Sequence, residues 1–281
     1  MGSIFIGCEE EEEAETVADL FEREIIGIEP GAGIMGATEE ALETYDSLAE
    51  YELIDSSDAA MSASLIDAAD DEEWIVVTGW TPHWKFGTVD LKFLEDPEDC
   101  YGEAETINAL VREGFEDDQP DVTEFLDEFL IDDPELSEIM LNIDETGDDV
   151  EAVEMWAEDN PDKIDEWALD VDGEGEEIEL AYMDWICARG KTYLVAHILE
   201  NEMNYEVSTI QADAGGVYTD VAAGDTDAFV ASWQPVTHET YIEDYGDELV
   251  DLGPVYEGAK IGLVVPEYVD IDSIDEMDQD L

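Results

Sequence analysis

Apolar residues in this chain fall into short runs closed by a repeated signature. The run at 74–78 leads to Trp80, Pro82 and His83, and the run at 228–232 leads to Trp233, Pro235 and His238. Each run has the length of a buried strand, so both tryptophans are predicted at strand ends, where open α/β sheets hold their ligands. One tryptophan in such a setting is more often a core filler than a ligand contact. Two in the same setting point to aromatic faces that share a cleft.

Around these runs the pattern alternates between strand and helix, and it does so twice. The first half predicts a strand at 25–28, a turn through Pro30, Gly31, Ala32 and Gly33, and a helix carrying Ala37, Ala41 and Leu42. A strand near 51–54, a helix over 59–69 and the strand at 74–78 follow. The second half predicts a strand at 178–183 leading to Trp185, a helix near 193–200, a strand at 205–210 and the strand at 228–232. The stretch from Ile34 to Trp80 nearly matches that from Trp185 to Trp233 in length, which predicts two related α/β lobes facing each other. Between them, 103–169 has helical spacing: Ile107, Leu110 and Val111, then Phe125, Leu126, Phe129 and Leu130, then Val153, Trp156 and Trp167. Gly114, Pro134 and Pro161 are the expected helix stops. The acidic segment 170–177 is expected as an exposed linker and lacks the twelve-residue register of a calcium loop.

Charge then sets the environment. With 81 Asp plus Glu against 8 Lys plus Arg, the formal net charge is -73, which excludes a nucleic-acid partner, whose footprint is basic. The same imbalance repels itself at low ionic strength, whereas at molar salt the screening length falls to about 3 Å. A protein built for brine is predicted. A hydrophobic content of 44% with 9% aromatics argues for a packed core over disorder. No apolar stretch approaches the roughly 20 residues that span a bilayer. Phe5-Ile6-Gly7-Cys8 matches the end of a lipoprotein signal, so Cys8 is the expected lipid anchor and 1–23 a signal remnant and acidic tether. The residues ahead of Cys8 are too few for a complete signal peptide, which leaves a start placed too far downstream and a chance match as competing readings. Cys100 and Cys187 lack metal or redox spacing and are expected as buried free thiols.

Five motifs in consistent order carry a family likeness: IIGIEPGAGIM at 25–35, VVTGWTPHWKF at 76–86, DLKFLEDP at 90–97, WQPVTH at 233–238 and DLGPVYEGAKIGLVVPEY at 251–268. Together they resemble the glycine betaine-binding proteins of ABC-type osmolyte importers, over about 24–279. The order of halves is similar to that of the lipid-anchored Gram-positive members; many periplasmic relatives carry the halves circularly permuted. The resemblance implies an α/β, two-lobe periplasmic-binding-protein-like fold (type II) with two crossing hinge segments and a ligand cleft between the lobes. It puts the crossings near 89–93 and 261–266, with lobe one at 24–88 plus 267–281 and lobe two at 89–266. It further implies a monomeric, extracytoplasmic, non-enzymatic protein without cofactor or metal, which delivers glycine betaine or a related zwitterionic osmolyte to a membrane permease.

The resemblance also assigns a site. Through GW at 79–80, YMDW at 182–185 and ASW at 231–233, it makes Trp80, Trp185 and Trp233 an aromatic box, complete when the lobes close. A trimethylammonium group has no N–H to donate, so carboxylates cannot grip it directionally, whereas each aromatic face contributes about 0.5–2 kcal/mol through its quadrupole. The ligand's carboxylate would be held by the amides of Gly33 and Ile34, at the positive end of a helix dipole, together with the His238 side chain. Ile186-Cys187-Ala188-Arg189 is less polar than the family pattern, which keeps a core role open for Trp185. His83 and His197 are expected to be structural, and Arg189 is an alternative clamp set against simple pairing with acids. No Ser-His-Asp, HExxH or Walker motif competes. A sensor or binding module for choline or another quaternary amine, which would not need Gly33, Ile34 or His238, stays as a second class, with an acid-catalysed hydrolase as a distant third.

Overall fold

The computed structural model describes residues 16–280; Cys8 and the acidic run behind it lie outside the described residues. Among the described residues nine strands are formed: β1 (Glu24–Ile26), β2 (Glu52–Ile54), β3 (Val77–Thr81), β4 (Leu91–Phe93), β5 (Glu105–Arg112), β6 (Glu177–Tyr182), β7 (Glu206–Gln211), β8 (Ala228–Gln234) and β9 (Leu249–Pro266). They join in the order β2-β1-β3-β9-β5-β8-β6-β7, with β4 also paired to β9. The result is two α/β lobes sharing one long strand. β1 runs parallel to β2 and β3, and β6 parallel to β7 and β8, the arrangement that strand–helix alternation produces.

β9 serves both halves in turn. Its residues up to Ala259 lie antiparallel to β5, and from Lys260 onward they pair with β3 and then β4. The change of partner follows Gly258, whose φ of 82° is open to glycine at little steric penalty. Three register shifts on β5 bend and twist the same region, as bulges do. The segment after β4 stays with the first half, where Glu95 bridges Ser273 and the Tyr101 hydroxyl donates to Thr38 Oγ1 at 3.1 Å.

Three expectations are corrected. Ile107, Leu110 and Val111 belong to strand β5, not to a helix. This strand lies between β8 and β9 and is buried on both faces, so its apolar residues do not alternate, and over so few residues a buried strand mimics helical spacing. Pro134 and Pro161 stand in the first turns of helices Asp133–Thr146 and Pro161–Trp167, where a missing N–H costs nothing, so they start helices instead of stopping them. The helix expected near 193–200 is Ile186–Asn201, beginning directly after Trp185.

The acidic composition helps the helices begin. Asp132 and Glu135 form a reciprocal capping box, and Asp148 and Asp213 accept amide hydrogens at the starts of their helices. Cys100 and Cys187 are buried and free, as expected. Among the described residues, no helix is long and apolar enough to cross a membrane.

Candidate functional site

Trp80 is the fourth residue of β3, Trp233 the sixth of β8, and Trp185 the residue that precedes helix Ile186–Asn201. All three are at most 5% exposed. Their indoles line one cavity with Gly33, Ile34, Thr237 and Ile261, enclosing about 280 Å³ of atom-free space that is partly open to solvent. Five of the six candidate ligand-binding residues therefore meet at one place. No charged side chain is part of the lining. Such a surface suits an apolar-faced cation better than an ammonium that needs hydrogen-bond acceptors.

Helix Gly33–Thr44 begins at the cavity. Its preceding residue, Ala32, has no side chain that can cap, and among the described residues neither the Gly33 nor the Ile34 amide donates a hydrogen bond. Two N–H groups at the positive end of a three-turn helix are thus left for an anionic group.

The sixth residue, His238, does not line the cavity but is completely buried next to it, its ring 5.7 Å from that of Trp185. Its tautomer follows from its neighbours. Nδ1 is 3.2 Å from the backbone nitrogen of Trp233, which can only donate, and 3.1 Å from the Tyr218 hydroxyl. Nδ1 therefore accepts, and in the neutral ring the proton sits on Nε2. Burial pushes the pKa down to about 3, so the ring is neutral at physiological pH. Nε2 of His238 and Nε1 of Trp233 are both buried donors without a partner among the described residues.

The turn that carries His238 is held by a residue the sequence did not single out. Glu105, 2% exposed, accepts the Val236 amide at 2.7 Å and the Thr237 amide at 2.9 Å, and also takes the Thr237 hydroxyl. Two other carboxylates, unlike Glu105, reach from the first half to the second. Glu29 accepts the indole N–H of Trp185, and Asp58 accepts the Ile186 amide at 3.1 Å. Burial raises the Glu29 carboxyl above its usual pKa. With the Tyr241 hydroxyl donating to the Gly31 carbonyl at 2.7 Å, these contacts join the two halves. Nothing in the sequence sets these acids apart from the rest of the 81.

The remaining candidates have structural occupations. His83 is buried, bonded through Nε2 to Asp58 at 2.9 Å, and its ring meets Trp80 edge-on at 4.9 Å. His197 is half-buried at the end of a helix beside Asn201. Arg189 is bound by the Asp149 carboxylate, with contacts of 2.6 and 3.0 Å, and takes no part in the cavity.

Comparison with known proteins agrees with this geometry. Residues 9–159 and 176–280 match the family described as the substrate-binding domain of ABC-type glycine betaine transport systems. The chain is 42% identical over 257 residues to the glycine betaine/carnitine transport binding protein GbuC of Listeria monocytogenes, covering 90% of this chain and 85% of that protein. Among solved structures it is similar to lactococcal OpuAC in its closed-liganded conformation with glycine betaine, at 37% identity and a TM-score of 0.50, over 55% of this chain and 62% of that one. It is also similar to the glycine betaine, L-proline-binding protein ProX of Borrelia burgdorferi, at 37% identity and a TM-score of 0.51, over 54% of this chain and 58% of that one. Both structural matches span less than two thirds of the solved chain. The extent of the family match and the identity to GbuC establish that this chain belongs to the substrate-binding proteins of ABC-type glycine betaine transporters.

Proposed function

We propose that the chain captures glycine betaine, or a closely related quaternary-ammonium osmolyte, between its lobes and presents it to a membrane permease without chemical change. One observation carries the reading: three indoles from the two halves line a single cavity free of charged side chains, beside two open helix amides. The indole faces would take the trimethylammonium group. The Gly33 and Ile34 amides, with the Nε2–H of His238, would take the carboxylate. The protein would act as a monomer outside the cytoplasm, tethered through an acylated Cys8, in a medium salty enough to screen its charge. We place the two hinges where the pairing pattern changes hands, at 102–105 and 258–260, somewhat inside the crossings the family likeness suggests.

Calorimetric titration in molar salt with glycine betaine, proline betaine, carnitine and choline tests the reading. Saturable one-to-one binding of a betaine is expected, and absence of binding to all four would end it. Trp80→Ala and Trp233→Ala should each weaken betaine roughly tenfold or more, from the cation–π magnitude and lost burial. Unchanged affinity in both would remove the aromatic box.

His238→Ala should hurt betaine more than choline, which has no carboxylate for the imidazole to hold. Equal losses would argue for a purely structural His238. Because the neutral ring donates through Nε2 and protonates near pH 3, its clamp should not strengthen on mild acidification. The loss of betaine affinity caused by His238→Ala is therefore expected to be the same at about pH 7 and about pH 5.

A further inference from the structure

Helix Ile186–Asn201 is the longest in the second half, yet Trp185, the residue at its entry, offers no side-chain hydrogen bond to its first turn. The cap comes from the other half. Asp58, buried at the start of helix Asp58–Asp70, accepts the Ile186 amide through Oδ2 at 3.1 Å. A carboxylate at a helix N-terminus is favoured by the unpaired amides and by the dipole. One residue earlier, the indole N–H of Trp185 is taken by Glu29, again from the first half. Two carboxylates of one lobe thus hold adjacent residues of the other, one by the backbone and one by the ring.

The first-half side of this contact is braced independently of closure. His83 Nδ1 accepts the Lys85 amide at 3.2 Å, so its proton is on Nε2, which donates to Asp58 Oδ1 at 2.9 Å. The Ser62 hydroxyl donates to the same oxygen at 3.3 Å. The Lys85 ammonium, also buried, lies 4.2 Å from the centroid of the Trp80 ring. One buried network therefore packs against Trp80 within its own half and reaches the Ile186 amide in the other.

We infer that Asp58 and Glu29 are positioning residues that form a closure latch: they orient Trp185 and slow the opening of the lobes. Parting the lobes removes the Ile186 amide and the indole N–H from these carboxylates together, and leaves the helix entry without its cap. The latch rests on the betaine reading only for the ligand used as probe.

The test measures betaine association and dissociation by stopped-flow tryptophan fluorescence, and lobe opening without ligand by small-angle X-ray scattering, in molar salt. Glu29→Ala and Asp58→Ala should dissociate betaine about tenfold faster or more, with association changed much less, because the lost bonds form after encounter. Both ligand-free variants should scatter as more open particles. Glu29 is half-buried and shares no hydrogen bond with the His83–Asp58 pair, so its variant carries the test if Asp58→Ala does not fold. In a cycle with Trp185→Phe, which keeps an aromatic face but lacks the N–H, adding Glu29→Ala should bring little further loss. Dissociation rates equal to wild type, or fully additive losses in the cycle, overturn the latch. If wild type fails to bind betaine, the functional reading falls, and the scattering comparison still decides the latch: unchanged opening in both variants refutes it.

Discussion

Gly33→Ala should leave both lobes folded and deprive the protein of its grip on ligand. A methyl group on Gly33 would stand 1.8 Å from the carbonyl oxygen of Thr237 in the opposite lobe, 2.6 Å from the carbon of that carbonyl and 2.7 Å from the Thr237 methyl. Backbone has to move to admit it. Thr237 is poorly placed to retreat, because Glu105 holds its amide, its hydroxyl and the amide of Val236. The helix itself would be content, since alanine is the better helix former by about 1 kcal/mol. The strain therefore falls on closure and not on folding. Affinity for betaine is expected to drop roughly 100-fold or more, the equivalent of about 3 kcal/mol of overpacking at a contact that must form. Thermal unfolding of the ligand-free protein should be nearly unchanged. Binding within about threefold of wild type would mean that the liganded lobes do not approach as closely as Gly33 and Thr237 do here.

Salt is expected to act on the whole fold. The net charge of -73 has little internal compensation. Two of the eight basic residues, Lys85 and Lys191, are fully buried, and Arg23, Lys92, Arg112, Lys163 and Arg189 are already paired with acids. The excess carboxylates must then be tolerated by screening. At 0.1 M salt the Debye length is about 10 Å, long enough for neighbouring surface acids to repel one another, and at 1 M it is about 3 Å. Moving from dilute buffer to molar potassium chloride should stabilise the fold by on the order of 5 kcal/mol, or roughly 10–20 °C in thermal midpoint for a chain of this size. Unfolding followed by circular dichroism across a salt series measures this. A midpoint that is highest in dilute buffer would contradict the brine reading.

Much of the site was legible because its parts announce themselves locally. Trp80 and Trp233 each close a short apolar run before a proline, and Gly33 and Ile34 follow a glycine turn that opens a helix; the structure brings all four to one cavity with Trp185. His238 was legible as a member of a motif, but its orientation was not. The proton on Nε2 is dictated by the Trp233 amide and the Tyr218 hydroxyl, which no sequence spacing reveals. The carboxylates were hidden for a different reason. In a chain with 81 acids, Glu29, Asp58 and Glu105 look like any others, and their partners lie far along the chain: Trp185 is 156 residues from Glu29, and Ile186 is 128 from Asp58.

By itself the sequence determined the two-lobe α/β plan, the strand-end tryptophans, the helix-start amides and the charge, since periodicity, turn residues and composition are properties of neighbouring residues. Tertiary structure alone decided that 105–112 is a strand, because a segment buried on both faces carries no alternation to read. It alone decided where β9 passes from one half to the other, which depends on pairing with β5 and β3 from distant parts of the chain. And it alone selected the few acids that matter, because a donor from a distant segment, across the cleft for Glu29 and Asp58 and within the second half for Glu105, rather than residue type, separates them from the solvated many.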